Sequence, residues 1–115
     1  MRGMDGARER ITTNIRKGVL EYCVLALLSR RDMYGLELAD WLAVRGLTAS
    51  EGSLYPLLAR MRQAGTVQTR WVAPEQGHAR RYYAITDQGR AHLRVFATVW
   101  REIQPHVDEL MGEEG

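Results

Sequence analysis

Residues 50–65 restrict the fold of this chain more than any other segment. Four apolar side chains recur there at the spacing of one helix face: Leu54, Leu57, Leu58 and Met61. Ser50 is a suitable N-cap and Gly65 a helix stop, so a helix is predicted over residues 50–64. The opposite face carries small side chains with a phenol, a guanidinium and an amide among them: Gly52, Tyr55, Pro56, Ala59, Arg60 and Gln63. Such a face can lie close to another surface and read bases or phosphates; the alternative is a core helix with an incidental outer face.

Two helical patterns precede this segment. The first runs from Thr12 or Thr13 to Ser29, and its wide apolar face predicts five buried residues: Leu20, Cys23, Val24, Leu27 and Leu28. The second covers residues 35–44 and ends at Gly46, with three side chains predicted to point inward: Leu38, Trp41 and Leu42. Three helices with a tight turn between the second and the third have the layout of a helix-turn-helix.

The hydrophobic pattern alternates after Gly65, which indicates strands instead of helices. Residues 66–72 and 80–85 are β-branched and aromatic runs, and the turn-rich loop between them predicts a two-stranded hairpin. A helix-turn-helix followed by such a hairpin is a winged helix. Three arginines lie on or near this wing, where DNA phosphates would lie: Arg70, Arg80 and Arg81. A solvated basic hairpin is the alternative.

A long last helix is predicted from Thr86 to about Met111. Its apolar residues follow the alternating three-and-four spacing of a heptad seam: Leu93, Phe96, Trp100, Ile103, Val107 and Leu110. A helix of this size is about 36 Å long, longer than a domain of 115 residues needs for its own core. We therefore predict that it is a dimerisation helix, weakened or bent at Pro105.

The charge distribution favours a polyanion as a partner. The formal net charge is only +2, but residues 1–31 and 50–94 each hold seven basic and three acidic residues. Residues 95–115 hold one basic and five acidic residues. Such an arrangement indicates a basic binding surface on one side of the fold and another task for the C-terminal end.

The sequence contains no pattern typical of an enzyme, a metalloprotein or a membrane protein. Cys23 is the only cysteine, and three histidines lie far apart without a paired acid or nucleophile: His78, His92 and His106. We expect no catalytic residue, no metal site and no cofactor. The apolar run 19–28 is too short to cross a bilayer, and the first fifteen residues lack the apolar core of a signal peptide. A cytoplasmic protein is expected.

Three segments resemble the signature blocks of the PadR family of bacterial transcriptional regulators: Tyr34-Gly-Leu-Glu-Leu, residues 50–65 and residues 77–90. The resemblance extends over residues 17–110, and the single C-terminal helix is similar to the short subfamily. It implies a winged-helix homodimer that binds double-stranded DNA at a dyad-symmetric operator, most often as a repressor released by a small molecule. The pair Met61-Arg62 differs from the Leu-Glu of many members, which implies an altered sequence preference.

Site residues follow from the helix pattern and from this resemblance. The recognition-helix residues expected to contact DNA are Ser50, Gly52, Ser53, Tyr55, Pro56, Ala59, Arg60 and Gln63. The residues expected on the DNA backbone and the wing are Lys17, Tyr34, Arg70, Arg80 and Arg81. The expected fold class is α+β, mainly α, with a flexible basic arm (residues 1–11), a winged helix-turn-helix domain (12–85) and a dimerisation helix with an acidic tail (86–115).

Two further questions are open at the level of sequence. Trp100 and Phe96 lie one helical turn apart, and they form either plain core or a candidate pocket for a flat aromatic effector between two subunits. The alternative to a DNA-binding regulator is a winged-helix adaptor that binds proteins and has no operator. The modest net charge and the hydrophobic last helix favour the adaptor, whereas the clustered arginines favour DNA.

Overall fold

The chain folds as a winged helix-turn-helix, mainly helical with one small antiparallel sheet, as predicted. A computed structural model describes residues 2–48 and 51–112. The elements in chain order are α1 (Arg2–Leu28), β1 (Met33–Tyr34), α2 (Gly35–Val44), α3 (Glu51–Ala64), β2 (Val67–Val72), β3 (Arg80–Ile85) and α4 (Asp87–Gly112). The predicted N-cap Ser50 lies outside the described residues.

The sheet has three strands in the order β1-β3-β2, one more than the predicted two-stranded wing. The β2–β3 hairpin pairs Val67 with Ile85 and Val72 with Arg80, close to the predicted boundaries. The additional strand β1 has two residues and pairs Met33 with Tyr83. It joins the start of α2 to the wing, so the helix-turn-helix and the hairpin form one unit.

One hydrophobic core lies between the first three helices and the sheet. Its buried side chains come from every element before α4: Val24, Leu25, Leu28, Met33, Leu38, Ala39, Leu42, Leu54, Leu58, Met61, Val67, Tyr83 and Ile85. The predicted stripe of α3 is confirmed at Leu54, Leu58 and Met61, while Leu57 is half-buried. The prediction that Trp41 points inward is wrong. Its ring is 38% exposed on the outer side of α2, where the Arg45 guanidinium lies 4.6 Å from the ring centroid.

Glycines end both helices of the helix-turn-helix. Gly46 and Gly65 have φ values of 70° and 85°, a left-handed conformation that glycine adopts without steric cost. After Gly65, the Thr66 N–H donates to the carbonyl of Met61 at 3.0 Å, and Leu47 N–H bonds Leu42 in the same way at 2.9 Å. These bonds satisfy carbonyls at the helix ends and reverse the chain sharply.

The first helix begins at Arg2, so the predicted start at Thr12 or Thr13 is wrong. Residues 2–11 continue α1 as helix instead of forming a separate extended arm. Three apolar side chains of this part are exposed: Met4, Ile11 and Ile15. The division into an arm, a DNA-binding domain and a dimerisation helix stays a prediction.

The last helix starts against the end of α3 and then leaves the core. Thr86 accepts a hydrogen bond from Gly89 N–H at 3.0 Å, as the predicted N-cap, and its hydroxyl donates to the Gly65 carbonyl at 2.6 Å. The helix continues through Pro105 to Gly112. Among the described residues, no helix has an apolar stretch long enough to cross a membrane.

Candidate nucleic-acid interface

The outer face of α3 is a continuous exposed surface. Its predicted contact residues all lie at the surface: Gly52, Ser53, Tyr55, Pro56, Ala59, Arg60 and Gln63. Small residues occupy the middle of this face, with Arg60 on one flank and Tyr55 on the other, since they are separated by five positions on a helix. Each flank borders a groove with basic side chains.

The first groove, which we call the α1 groove, lies between α1 and α3 and has a volume of about 400 Å³. Lys17 and Arg60 line it together, with Ser53 on the same wall. Ser53 Oγ lies 3.1 Å from the hydroxyl of the buried Thr48, which fixes the start of α3. Arg16 also lines the groove, and its Nε donates to the Gly46 carbonyl at 2.9 Å. The structure thus brings two predicted phosphate- or base-contacting cations to one cleft.

The second groove, which we call the wing groove, lies between α3, the start of α2 and the wing. Its volume is about 450 Å³, and its wall is aromatic and basic: Tyr34, Gly35, Leu36, Tyr55, Trp71, Arg80, Arg81 and Tyr83. It joins Tyr55 of the recognition helix to three predicted backbone-contacting residues. The α1 groove and the wing groove lie on opposite sides of the α3 face.

Each wing arginine lies over an aromatic ring. The guanidinium carbon of Arg80 is 4.5 Å from the ring centroid of Tyr34, and that of Arg81 is 5.3 Å from Trp71. Stacking a guanidinium on a ring restricts its motion while its in-plane N–H groups stay able to donate to a phosphate.

Arg70, also predicted on the backbone, differs from the other wing arginines. Its Nη2 forms an ion pair with Asp32 at 3.0 Å, and its guanidinium lies 5.7 Å from the Tyr82 ring. This carboxylate offsets the charge that Arg70 would present to a phosphate. Arg80 and Arg81 are therefore the stronger candidates for phosphate contact.

Tyr55 is held by its neighbours. Burial raises the pKa of the Tyr55 hydroxyl above its ordinary value, and the Glu51 carboxylate, which accepts its hydrogen bond, raises that pKa further. The ring also lies directly against the first turn of α2 at Gly35. The side chain is therefore a fixed wall of the wing groove at neutral pH, protonated and oriented.

Two residues of this surface were missed by sequence reasoning. Trp71 is 65% exposed on β2, beside Arg81, and Gly35 supplies the space for Tyr55. Alternation within residues 66–72 would have placed Trp71 on the same face as Thr69, opposite the buried Val67 neighbours, only if the wing's two faces had been assigned. No local signal indicates the role of Gly35, because its contact partner lies 20 residues later.

The predicted seam of α4 divides between the core of this chain and an open surface. Leu93 packs against the core, whereas Trp100, Ile103, Val107 and Leu110 are exposed. Phe96 stacks on Tyr22 of α1 at 4.4 Å between ring centroids and on Trp100 at 5.9 Å. A cavity of about 360 Å³ adjoins Phe96, with Tyr22, His92, Val95 and Val99 as its other lining residues. Trp100 stacks beside this cavity and does not line it in the single chain.

Within the residues that the structure describes, no three metal-ligating side chains come together. Cys23 is half-buried at the core's edge, and burial raises the pKa of its thiol, so the reactive thiolate is disfavoured. The exposed polar groups with evident binding capacity are those of the α3 face and its two grooves.

Comparison with known proteins agrees with this geometry. A model of the transcriptional regulator PadR-like family matches residues 24–95. A PadR-like regulator structure from Bacillus cereus strain ATCC 14579 is 38% identical, with a TM-score of 0.79, over 85% of this chain and 96% of that one. A PadR family regulator from Eggerthella lenta DSM 2243 is 29% identical, with a TM-score of 0.82, over 96% and 97%.

A more distant structure is that of Bacillus subtilis PadR in complex with operator DNA. It is 22% identical, with a TM-score of 0.63, over 69% of this chain and 46% of that chain, and this likeness concerns the fold. The family model covers most of the winged helix, including α3 and the wing. The chain therefore belongs to the PadR-like family of transcriptional regulators.

Proposed function

We propose that this protein represses transcription as a homodimer bound to a dyad-symmetric operator in double-stranded DNA. One observation carries the proposal: the small-residue face of α3 lies between two grooves that both contain basic side chains. A recognition helix in the major groove has one phosphate backbone on each side of it. Lys17 in the α1 groove and Arg81 in the wing groove are suited to these two backbones. The operator complex of the Bacillus subtilis relative supports the same class of partner.

On this proposal, bases are read by residues between the grooves. Arg60 is the candidate for guanine, because a guanidinium bonds guanine O6 and N7 in bidentate fashion. Gln63 is the candidate for adenine, because an amide matches adenine N6 and N7. Gly52, Pro56 and Ala59 contribute by allowing close approach of the helix backbone to the groove floor.

The proposed dimer forms through α4. Its exposed apolar residues continue beyond the core, and an isolated helix does not retain such a face in water without a partner. A second copy of the same helix supplies a matching heptad surface. We further propose that a flat, apolar aromatic molecule binds beside Phe96 and Trp100 at this interface and releases the DNA.

Titration into labelled DNA from upstream of the protein's own gene tests the proposal, with a scrambled duplex as the control. We expect preferential binding with two subunits per site. We also expect affinity to fall as salt rises, because each neutralised phosphate releases counterions with a log–log slope of about 0.9 per contact. Equal binding to both duplexes would call for a genomic selection of sites. If that selection also yielded no preferred sequence, the protein-binding adaptor would replace the repressor.

A further inference from the structure

The wing groove depends on a side chain that Gly35 lacks. A Cβ built on Gly35 would lie 2.7 Å from both Cε1 and Oη of Tyr55, and 2.9 Å from Cζ. These distances are shorter than real contacts of a Cβ atom. The backbone of Gly35 does not require glycine, because the described glycines with positive φ are Gly46, Gly65 and Gly77. Space for Tyr55 is therefore the reason that the structure shows for a glycine at the first position of α2.

The opposite wall of the groove is formed by Trp71 and Arg81. Trp71 leaves most of its ring in solvent, and the two residues face each other across the β2–β3 ladder. The Arg81 Nε–H is buried and has no hydrogen-bond partner among the described residues. A buried donor without an acceptor costs about 1–3 kcal/mol, so an anion that enters this groove relieves an existing penalty.

The chemistry of the groove matches a phosphodiester better than a small ion. Two guanidiniums supply the charge, and the N-terminal end of α2 adds a positive dipole at Gly35. A volume of about 450 Å³ exceeds what one phosphate group needs and leaves room for the adjoining sugars. The aromatic walls suit the apolar edges of deoxyribose. Because Glu51 already accepts the Tyr55 hydroxyl proton, Tyr55 acts as a wall and not as the donor.

We propose that the wing groove binds one phosphodiester of the DNA backbone per subunit, and that Gly35 is the positioning residue that allows Tyr55 to form its wall. The inference rests on the proposed DNA-binding function. It adds Trp71 and Gly35 to the binding surface and assigns Gly35 an effect that operates only through Tyr55.

This assignment makes Gly35→Ala an informative substitution. Alanine fits the helical backbone and raises helix propensity, and the atoms that it displaces are the far end of one flexible side chain. The fold therefore tolerates the new Cβ, while the Tyr55 ring must leave its position and disturb the groove. Thermal stability is expected to stay the same or rise, and DNA affinity is expected to fall.

Fluorescence anisotropy of a labelled random-sequence duplex, measured on the full chain over a salt series, tests the proposal. We expect Gly35→Ala to weaken binding several-fold and Arg81→Met to lower the log–log salt slope by about 0.9 per seat lost. Arg81→Lys keeps the charge and should keep the slope. Gly3→Ala is the matched control, because it is a helical glycine with nothing within 4 Å of its added Cβ.

A double-mutant cycle separates positioning from a general structural effect. If Gly35 acts through Tyr55, the affinity of Tyr55→Ala is unchanged by adding Gly35→Ala. Additive losses would overturn the assignment of Gly35, and a wild-type slope in Arg81→Met would overturn the phosphate site. Binding of no duplex by the wild-type protein would refute the proposed function itself. DNA binding with wild-type affinity in Gly35→Ala would refute this inference alone.

Discussion

Arg60 and Arg81 lie on opposite sides of the α3 face, and their positions predict different effects on DNA binding. Arg60→Ala should weaken operator binding by about 1–3 kcal/mol and random DNA much less, because a lost base contact reduces specificity. Arg81→Ala should weaken both duplexes about equally, because phosphates carry no sequence information. Competition binding with operator and random duplexes measures both changes. Arg94→Ala, an exposed arginine on α4, controls for the loss of one charge. Unchanged operator preference in Arg60→Ala would remove its base-reading role.

At single residues, sequence reasoning succeeded where helical or strand periodicity determines the environment. Leu54, Leu58 and Met61 are buried as predicted because one face of α3 has a single large partner, the core. Trp41 follows the same periodicity, but it lies at the edge of the buried face, where a neighbouring arginine covers the ring as well as the core would. Gly35 and Trp71 could not be identified because their roles depend on neighbours from other elements.

The junction between α3, β2 and α4 is the element-scale contact most sensitive to added volume. A Cβ on the buried Gly89 would lie 2.2 Å from the Thr66 carbonyl oxygen, and this backbone cannot rotate away as a side chain would. We expect Gly89→Ala to destabilise the fold by at least about 1–3 kcal/mol, the usual range for overpacking. Gly18→Ala, with open space in α1, should instead stabilise slightly through helix propensity. Thermal and urea unfolding of both variants decide the matter, and equal stabilities would contradict the predicted clash.

Element boundaries were predictable where a local chemical signal exists. Glycine stops and the Thr86 cap located the ends of α2 and α3 and the start of α4 to within a residue. The start of α1 has no such signal, because residues 2–11 show no core-facing apolar face; a packed helix that already exists can extend through good helix formers without paying for nucleation. β1 was missed because two residues carry no measurable periodicity, and it exists through its pairing with Tyr82 and Tyr83.

For the whole molecule, the exposed seam of α4 predicts that one charge at its centre abolishes dimerisation. Ile103 is 51% exposed in the single chain, so Ile103→Glu should not disturb the core, but two carboxylates would face each other in the dimer. We expect the variant to run as a monomer by analytical ultracentrifugation and to lose operator binding at two subunits per site. Thr98→Glu is the control, because Thr98 lies on the opposite face of the same helix. A dimer of Ile103→Glu with wild-type operator binding would place the interface elsewhere.

The proposed effector site also belongs to the whole molecule, because the cavity beside Phe96 is open in a single chain and a second α4 is needed to close it. A flat neutral aromatic dye should therefore bind the dimer and not the Ile103→Glu monomer. In a Trp41→Phe, Trp71→Phe background, Trp100 is the single indole of the chain, and its 47% exposure leaves one part of the ring accessible to the dye. Binding should quench its fluorescence and, at saturation, raise the operator dissociation constant, because two linked equilibria change reciprocally. Quenching of equal strength in the monomer would show that the dye binds a single chain. Quenching in the dimer without any change in DNA affinity would separate this cavity from regulation and leave α4 with dimerisation alone.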